Sequence, residues 1–556
     1  MQKYMFRWVG FLTIILAGCA QPMPGGGTPQ ATAPRLYEGM GSHRRPITTV
    51  SAEAQRYFDQ GLVWTFAFNH DEAIRSFGEA ARIDPDCALA WWGIALCNGP
   101  HINNPIMDER HSRAAWDALQ KAQSLADKAN PTERSLIQAL SKRYASTPPA
   151  DRKPLNEAYA NAMREVWSTH GDDNDIGTLF AEAMMDLRPW NLWTHDGRPQ
   201  PGTEEIVAAL ETVLQRDPRH PGANHLYIHA VEASEHPDKA MATADRLRNL
   251  VPASGHLVHM PSHIDVRTGR WAEAAQTNER AIAADAAYRK ISPRQGFYSV
   301  YMAHNHQFLS YASMMEGCSA TAIRAAREMI AGVPDEFART QPAFVDPVMM
   351  LPIDAMMRFG KWDEILREPA PRRIFPITTA LWHFARGIAF AAKGNTNAAL
   401  REQAEFKKAA AKVAPDALMA INPAKKVLDI AEHMLAGEIA FRQGKIDDSV
   451  SSLQKAVEIE DGLQYMEPPD WIQPVRHTLG AVLVSAGRFA DAEKVYRDDL
   501  QRWPENGWSL YGLSKCLKER TAGAEAADVQ RRFEKAWSRA DTKIDASCLC
   551  ASKAGR

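Results

Sequence analysis

Residues 54–85 read AQRYFDQGLVWTFAFNHDEAIRSFGEAARIDP. Within them Tyr57, Gly61, Trp64, Ala73, Phe77, Ala80 and Pro85 run in the order large, small, aromatic, small, aromatic, small, proline. Apolar residues recur at helical spacing on both sides of Phe68-Asn69-His70, so the stretch reads as two helices joined by a short turn. The turn recurs along the chain as Thr268-Gly269-Arg270-Trp271, Phe359-Gly360-Lys361-Trp362, Gln443-Gly444-Lys445 and Ala486-Gly487-Arg488-Phe489. Glycine ends the first helix of such a pair because it accepts a left-handed backbone. Ala73, Ala274 and Ala492 follow where the paired helices touch, since a bulky side chain there would push them apart.

Residues 473–504 repeat the pattern with Leu479, Gly480, Ala492, Tyr496 and Pro504. On these residues the chain resembles the tetratricopeptide repeat family. The resemblance implies an all-α, right-handed superhelical solenoid of helix pairs, and a concave groove that holds a protein or peptide partner. A stacked array accommodates 556 residues, more than one ordinary compact core does. The pattern divides the array into residues 51–145, a His-rich centre at 146–330, residues 331–540, and a Cys-containing tail at 541–556. Irregular insertions at 99–110 and 187–202 and Pro-rich breaks at 333–346 and 366–376 interrupt it. Long loops of this kind serve either function or curvature.

The chain opens MQKYMFRWVGFLTIILAGCA, with Lys3 and Arg7 ahead of an apolar run too short to span a bilayer comfortably. Residues 1–18 therefore read as an export signal. Leu16-Ala17-Gly18-Cys19 resembles the bacterial lipoprotein box, which implies lipidation at Cys19. By the same resemblance, Ala20 rather than Asp after the cysteine implies the outer membrane, with the chain facing the periplasm. Residues 19–50 are rich in Pro and Gly and read as a tether. With 65 Lys and Arg against 67 Asp and Glu, no basic excess exists to neutralise phosphates, which argues against a nucleic-acid partner. Export permits disulfides; Cys548 and Cys550 form a Cys-x-Cys, a weak signal for copper or zinc.

Two H-x-x-x-H words, His225-Leu-Tyr-Ile-His229 and His259-Met-Pro-Ser-His263, lie 34 residues apart. Spacing of four puts both histidines of a word on one helix face, and the 34-residue period sets the two helices side by side. Counting back from Pro252 puts His225, His229 and Glu232 at repeat positions 5, 9 and 12, and His256, His259 and His263 at positions 2, 5 and 9 of the next repeat. His304 takes position 2 of the one after. In the tetratricopeptide family such positions line the groove. Pro261 removes a backbone hydrogen bond inside the middle helix and is expected to kink it. Glu182 and Asp186 present two carboxylates at i and i+4, available to a His/carboxylate site if their helix flanks the groove.

Three readings follow. Neutral imidazoles bind zinc, copper or iron, and an ion with an open position activates water or oxygen. Leu226 and Met260 stand where the zinc-protease word needs Glu, so that assignment fails. Alternatively, histidines with Arg267 hold an anionic peptide or small molecule; or the histidines are buried groups bonded between repeats. His70, His101 and His195 are possible additional ligands. The reading adopted is a membrane-tethered periplasmic repeat protein whose groove binds a partner and a transition metal through His225, His229, His256, His259, His263 and His304, with Glu182, Asp186, Glu232 and Arg267 as ligand-binding residues. The alternative is a metal-dependent hydrolase or oxidoreductase in the same groove.

Overall fold

The computed structural model describes residues 34–195, 197–293, 296–520 and 523–551. The signal segment and Cys19 lie outside them. The described chain is helical apart from one antiparallel pair of two-residue strands, Leu418–Met419 with Asn422–Pro423. No described helix is long and apolar enough to cross a membrane. The chain divides into two compact units. The first comprises residues up to Ile264 together with Glu279–Met302, and the second comprises Asp265–Asn278 together with Ala303 onward. The expected central block 146–330 is thus shared between them.

The first pair shows why the opening pattern folds as it does. Helix α1 (Ala52–Phe66) starts at Ser51, whose Oγ accepts from the Ala54 amide at 3.2 Å. Helix α2 (His70–Ile83) starts at Asn69, whose Oδ1 accepts from the Glu72 amide at 3.3 Å. Each cap satisfies an amide that the helix itself leaves unpaired. Helix α3 (Ala88–Cys97) follows. The fully buried Phe77 ring of α2 is gripped by glycines from both neighbours: a Cβ at Gly61 or at Gly93 would lie 2.7 Å from it. The second unit repeats the device, where a Cβ at Gly480 or Gly512 would come within 2.4 or 2.1 Å of the Tyr496 ring. The aromatic of one helix needs two backbones to approach it closely, and only glycine permits that. This local packing makes each unit a stack of tetratricopeptide-like pairs, and the all-α class expected from the sequence is the class observed.

Residues 34–50 are not a loose tether. Arg45 is buried and pairs with Asp173 at 2.8 Å and Asp175 at 3.1 Å, and the Gly39 carbonyl accepts from the Ala253 amide at 3.1 Å. Pro and Gly content hid a strap held by buried ion pairs. At the other end, Ser547 Oγ lies 2.6 Å from the Tyr496 hydroxyl and donates to the His477 carbonyl at 2.8 Å, so the tail packs onto the second unit. Cys548 and Cys550 form a disulfide, which removes both thiolates from metal ligation in this state.

Candidate metal centre

Helix α4 (Asn174–Met185) and helix α5 (Pro221–Val231) are buried along almost their whole lengths. Pro221 occupies the first turn of α5, where a missing amide hydrogen costs nothing. His220 caps the helix, with Nδ1 accepting from the Ala223 amide at 3.0 Å. Helix α6 (Gly255–His259) is capped by Ser254 and ends where Pro261 opens helix α7 (Pro261–Arg267). The proline therefore splits the middle helix, as its lack of an amide donor requires. These elements carry five of the predicted histidines into the interior of the first unit: His225, His229, His256, His259 and His263 are all at most 7% exposed.

Hydrogen bonds fix the tautomers of two rings. His225 Nδ1 donates to the Phe66 carbonyl at 2.6 Å, which leaves Nε2 as a lone-pair donor. His229 Nδ1 donates to Glu232 Oε1 at 2.8 Å, and its Nε2 is buried without a hydrogen-bond partner among the described residues. The His225 and His256 Nε2 atoms face each other at 3.1 Å. Two nitrogens bound to one tetrahedral zinc sit roughly 3.3 Å apart, given zinc–nitrogen bonds of about 2.0–2.1 Å. His225, His229 and His256 each bring one ring nitrogen within 4.8 Å of the other two.

Glu232 orients more than one ring. Its Oε2 lies 2.6 Å from His263 Nδ1, and His263 Nε2 lies 2.9 Å from His259 Nε2. Burial works against the Glu232 charge, but the imidazoles of His263 and His229 outweigh it and hold the carboxyl below its usual range. Burial and then the neighbouring His229 keep His225 neutral far below the ordinary histidine value; His256 is held neutral in the same way, with His225 the chief neighbour. Neutral imidazole is the form in which histidine binds metal, and a carboxylate on the far ring nitrogen is what orients such a ligand.

Residues outside the counted repeat positions pack around this cluster. Phe68 stacks on His101 with centroids 4.5 Å apart and lies 4.5 Å from His225. Tyr301 lies 4.3 Å from His256, and Trp190 meets His229 edge-on at 5.4 Å while its Nε1 donates to Asn103 Oδ1 at 2.9 Å. Phe68 and Trp190 have left-handed backbones, φ 54° and 57°. At the turn position of Phe68 the other pairs carry glycine, and that exception was the available signal. His70 and His101 also pack here, both kept neutral by burial first and then by neighbouring positive charge.

Asp186 is paired with Arg143, which also donates to the Pro100 carbonyl at 2.8 Å. Burial and the adjacent Asp186 push the Glu182 carboxyl well up. Neither carboxylate belongs to a group able to hold one ion with the histidines among the described residues. His304 and Arg267 fall in the second unit, where His304 Nδ1 lies 3.2 Å from Gln307 Oε1 and the Arg267 guanidinium lies 5.5 Å from the Tyr465 ring centre. His195 is exposed. A second trio went unnoticed: His43 Nε2 and His220 Nε2 lie 2.9 and 3.0 Å from Asp175 Oδ1. With His220 capping α5 and Asp175 holding Arg45, that trio ties the strap down.

The groove expectation needs correction. The five imidazoles are buried, with Phe68 packed on His225, His229 and His256 and Trp190 on His229, and a peptide lying on an open surface would not reach them. Long insertions between repeats supply this cover, which a count of repeat positions leaves out.

No family model matches the chain, and no curated protein matches it. Among solved structures, the human IFIT1 dimer with m7Gppp-AAAA overlaps it at TM-score 0.32 and 12% identity, over 88% of this chain and 90% of that one. The Cut9–Hcn1 hetero-tetramer of the APC/C overlaps at TM-score 0.28 and 13% identity, over 92% and 77%. Yeast Tom70 overlaps at TM-score 0.28 and 10% identity, over 87% and 91%. Overlaps this loose carry no inference about the chemistry of this chain.

Proposed function

We propose that the first unit is a transition-metal centre, with His225, His229 and His256 as ligands, in a repeat protein anchored by lipid to the outer membrane and facing the periplasm. The observation that carries the metal reading is the His229 Nε2 atom. It is buried, has no hydrogen-bond partner among the described residues, and its tautomer is held by Glu232 toward two further imidazoles. Burying an unsatisfied polar atom costs about 1–3 kcal/mol, and an ion would offset that cost. Imidazole donors suit zinc, copper or iron. His259 and His263, joined to the centre through Glu232, hold its second layer of contacts. A protein or peptide partner, as tetratricopeptide-like stacks suggest, would bind helix faces away from the imidazoles.

Three imidazoles leave a fourth position open, the arrangement that catalytic zinc centres use. That count supports the second reading, a metal-dependent hydrolase or oxidoreductase. Elemental analysis of protein purified without chelator should find near one equivalent of zinc, copper or iron. The His229→Ala/His263→Ala double variant should lose it while keeping the helical circular-dichroism signal. Wild-type protein that takes up none of the three on reconstitution would overturn the metal centre.

A further inference from the structure

The second unit contains a cavity remote in function from the imidazoles. Three carboxyl groups line it, Asp354, Glu438 and Asp470, together with the rings of Trp362, Phe384 and Trp471. No Lys, Arg or His is among its lining residues. Helix α8 (Leu351–Arg358) supplies Asp354, helix α9 (Pro376–Ala392) supplies Phe384, and helix α10 (Ala424–Arg442) supplies Glu438. The disulfide Cys548–Cys550 closes part of the wall.

The carboxyl groups differ in how they are satisfied. Asp470 accepts from Asn422 Nδ2 at 2.8 Å. Glu438, 1% exposed, accepts from Arg442 Nε at 2.9 Å through Oε1, while its Oε2 is buried with no partner among the described residues. Asp354 has neither a hydrogen bond nor an ion pair on its carboxylate among the described residues; burial alone pushes it up to about 8. Phe384 and Trp471 meet edge-on with centroids 5.6 Å apart. The Trp471 indole Nε1–H is buried without an acceptor among the described residues.

Buried carboxyls are normally paired, because an unsatisfied one costs more than a hydrogen bond returns. Here unpartnered acceptors face a space walled by aromatic rings and lacking any basic side chain. A hard divalent cation needs several oxygens on all sides, and apolar walls do not supply them. An organic ammonium ion needs one or two carboxylates for its charge and ring faces for its alkyl shell. A hydroxyl on such a ligand would also accept from the lone Trp471 donor.

We propose that this cavity binds a small organic ammonium ion, its charged head between Asp354 and Glu438 and against the rings of Trp362, Phe384 and Trp471. The test is calorimetric titration of the full chain with choline and with 3,3-dimethylbutan-1-ol, which has the same shape without the charge. Choline should bind at least about tenfold more tightly than the neutral alcohol, the discrimination expected of a desolvated cation–ring site. D354N, which keeps the side-chain shape, should cut choline affinity by about tenfold without lowering the midpoint of thermal unfolding. W471F, which keeps a ring but removes the donor, should weaken choline by several-fold less than D354N does. Equal binding of the two probes, no binding of choline, or an unchanged affinity in D354N would each overturn the proposal. Titration with calcium chloride is the remaining arm: heat from calcium that D354N abolishes would replace the ammonium ion with a metal and overturn it as well.

Discussion

Phe68 concentrates the chemistry of the first unit in one backbone angle. A left-handed φ costs a non-glycine residue about 1–2 kcal/mol, yet Phe68 adopts φ 54° and buries its ring among His101, His225 and His256. Burying a phenylalanine side chain contributes about 1.5–3 kcal/mol, enough to offset the strain. Of the four described non-glycine residues with left-handed φ, two, Phe68 and Trp190, flank the imidazoles. Strain kept beside a cluster of titratable groups is a mark of a working site. Phe68→Gly should relieve the angle and still destabilise the first unit by about 2–3 kcal/mol, because the lost ring leaves a cavity. Metal retention should fall with it. Urea denaturation measures the first effect and elemental analysis the second; an unchanged unfolding midpoint would show that the ring does not pack the imidazoles.

At the scale of the helix, glycine decides how closely neighbours pack, and two glycines of the same type have opposite roles. Gly480 faces Tyr496, whose hydroxyl is held at 2.6 Å by Ser547 Oγ, so the ring has no room to retreat from a Cβ that would lie 2.4 Å away. Gly78 sits inside α2 with nothing within 4 Å of a Cβ added there. Gly480→Ala should therefore cost about 1–3 kcal/mol through overpacking. Gly78→Ala should stabilise by up to about 1 kcal/mol through helix propensity alone. Thermal unfolding of the two variants side by side reads the difference directly; shifts of the same sign would refute the packing account. The same element-level logic explains Pro261: it ends α6 and opens α7, so that His259 and His263 stand on either side of a break with their Nε2 atoms 2.9 Å apart.

At the scale of the whole molecule, each unit has its own interior. The first buries imidazoles around Glu232, and the second buries carboxyls around a cavity. The proposed placement of both depends on Cys19, whose surroundings Leu16-Ala17-Gly18-Cys19 read as a lipidation signal. A single acyl chain anchors only weakly, so retention at the membrane depends on the full lipid modification of that cysteine. Cys19→Ser should move the protein from the membrane fraction to the soluble periplasmic fraction with its metal content unchanged. Retention of the unlipidated variant in the membrane fraction would contradict the anchor.

The all-α class and the pairing of helices were legible because they depend on local rules. The spacing of Gly61, Phe77 and Gly93, repeated as Gly480, Tyr496 and Gly512, is a one-dimensional record of which backbones must touch. The 34-residue interval between the two H-x-x-x-H words likewise announced that four imidazoles would gather. Three things depended on long-range packing. Only the folded chain shows that His229 and His263 share the Glu232 carboxylate, that residues 34–50 are fastened by Arg45 to Asp173 and Asp175, and that the cluster is covered rather than open. Periodicity reports the direction of a side chain from its own helix. Whether that direction leads to water or to an aromatic lid is set by loops distant in sequence, Phe68 and Trp190 among them, whose paths the repeat does not encode.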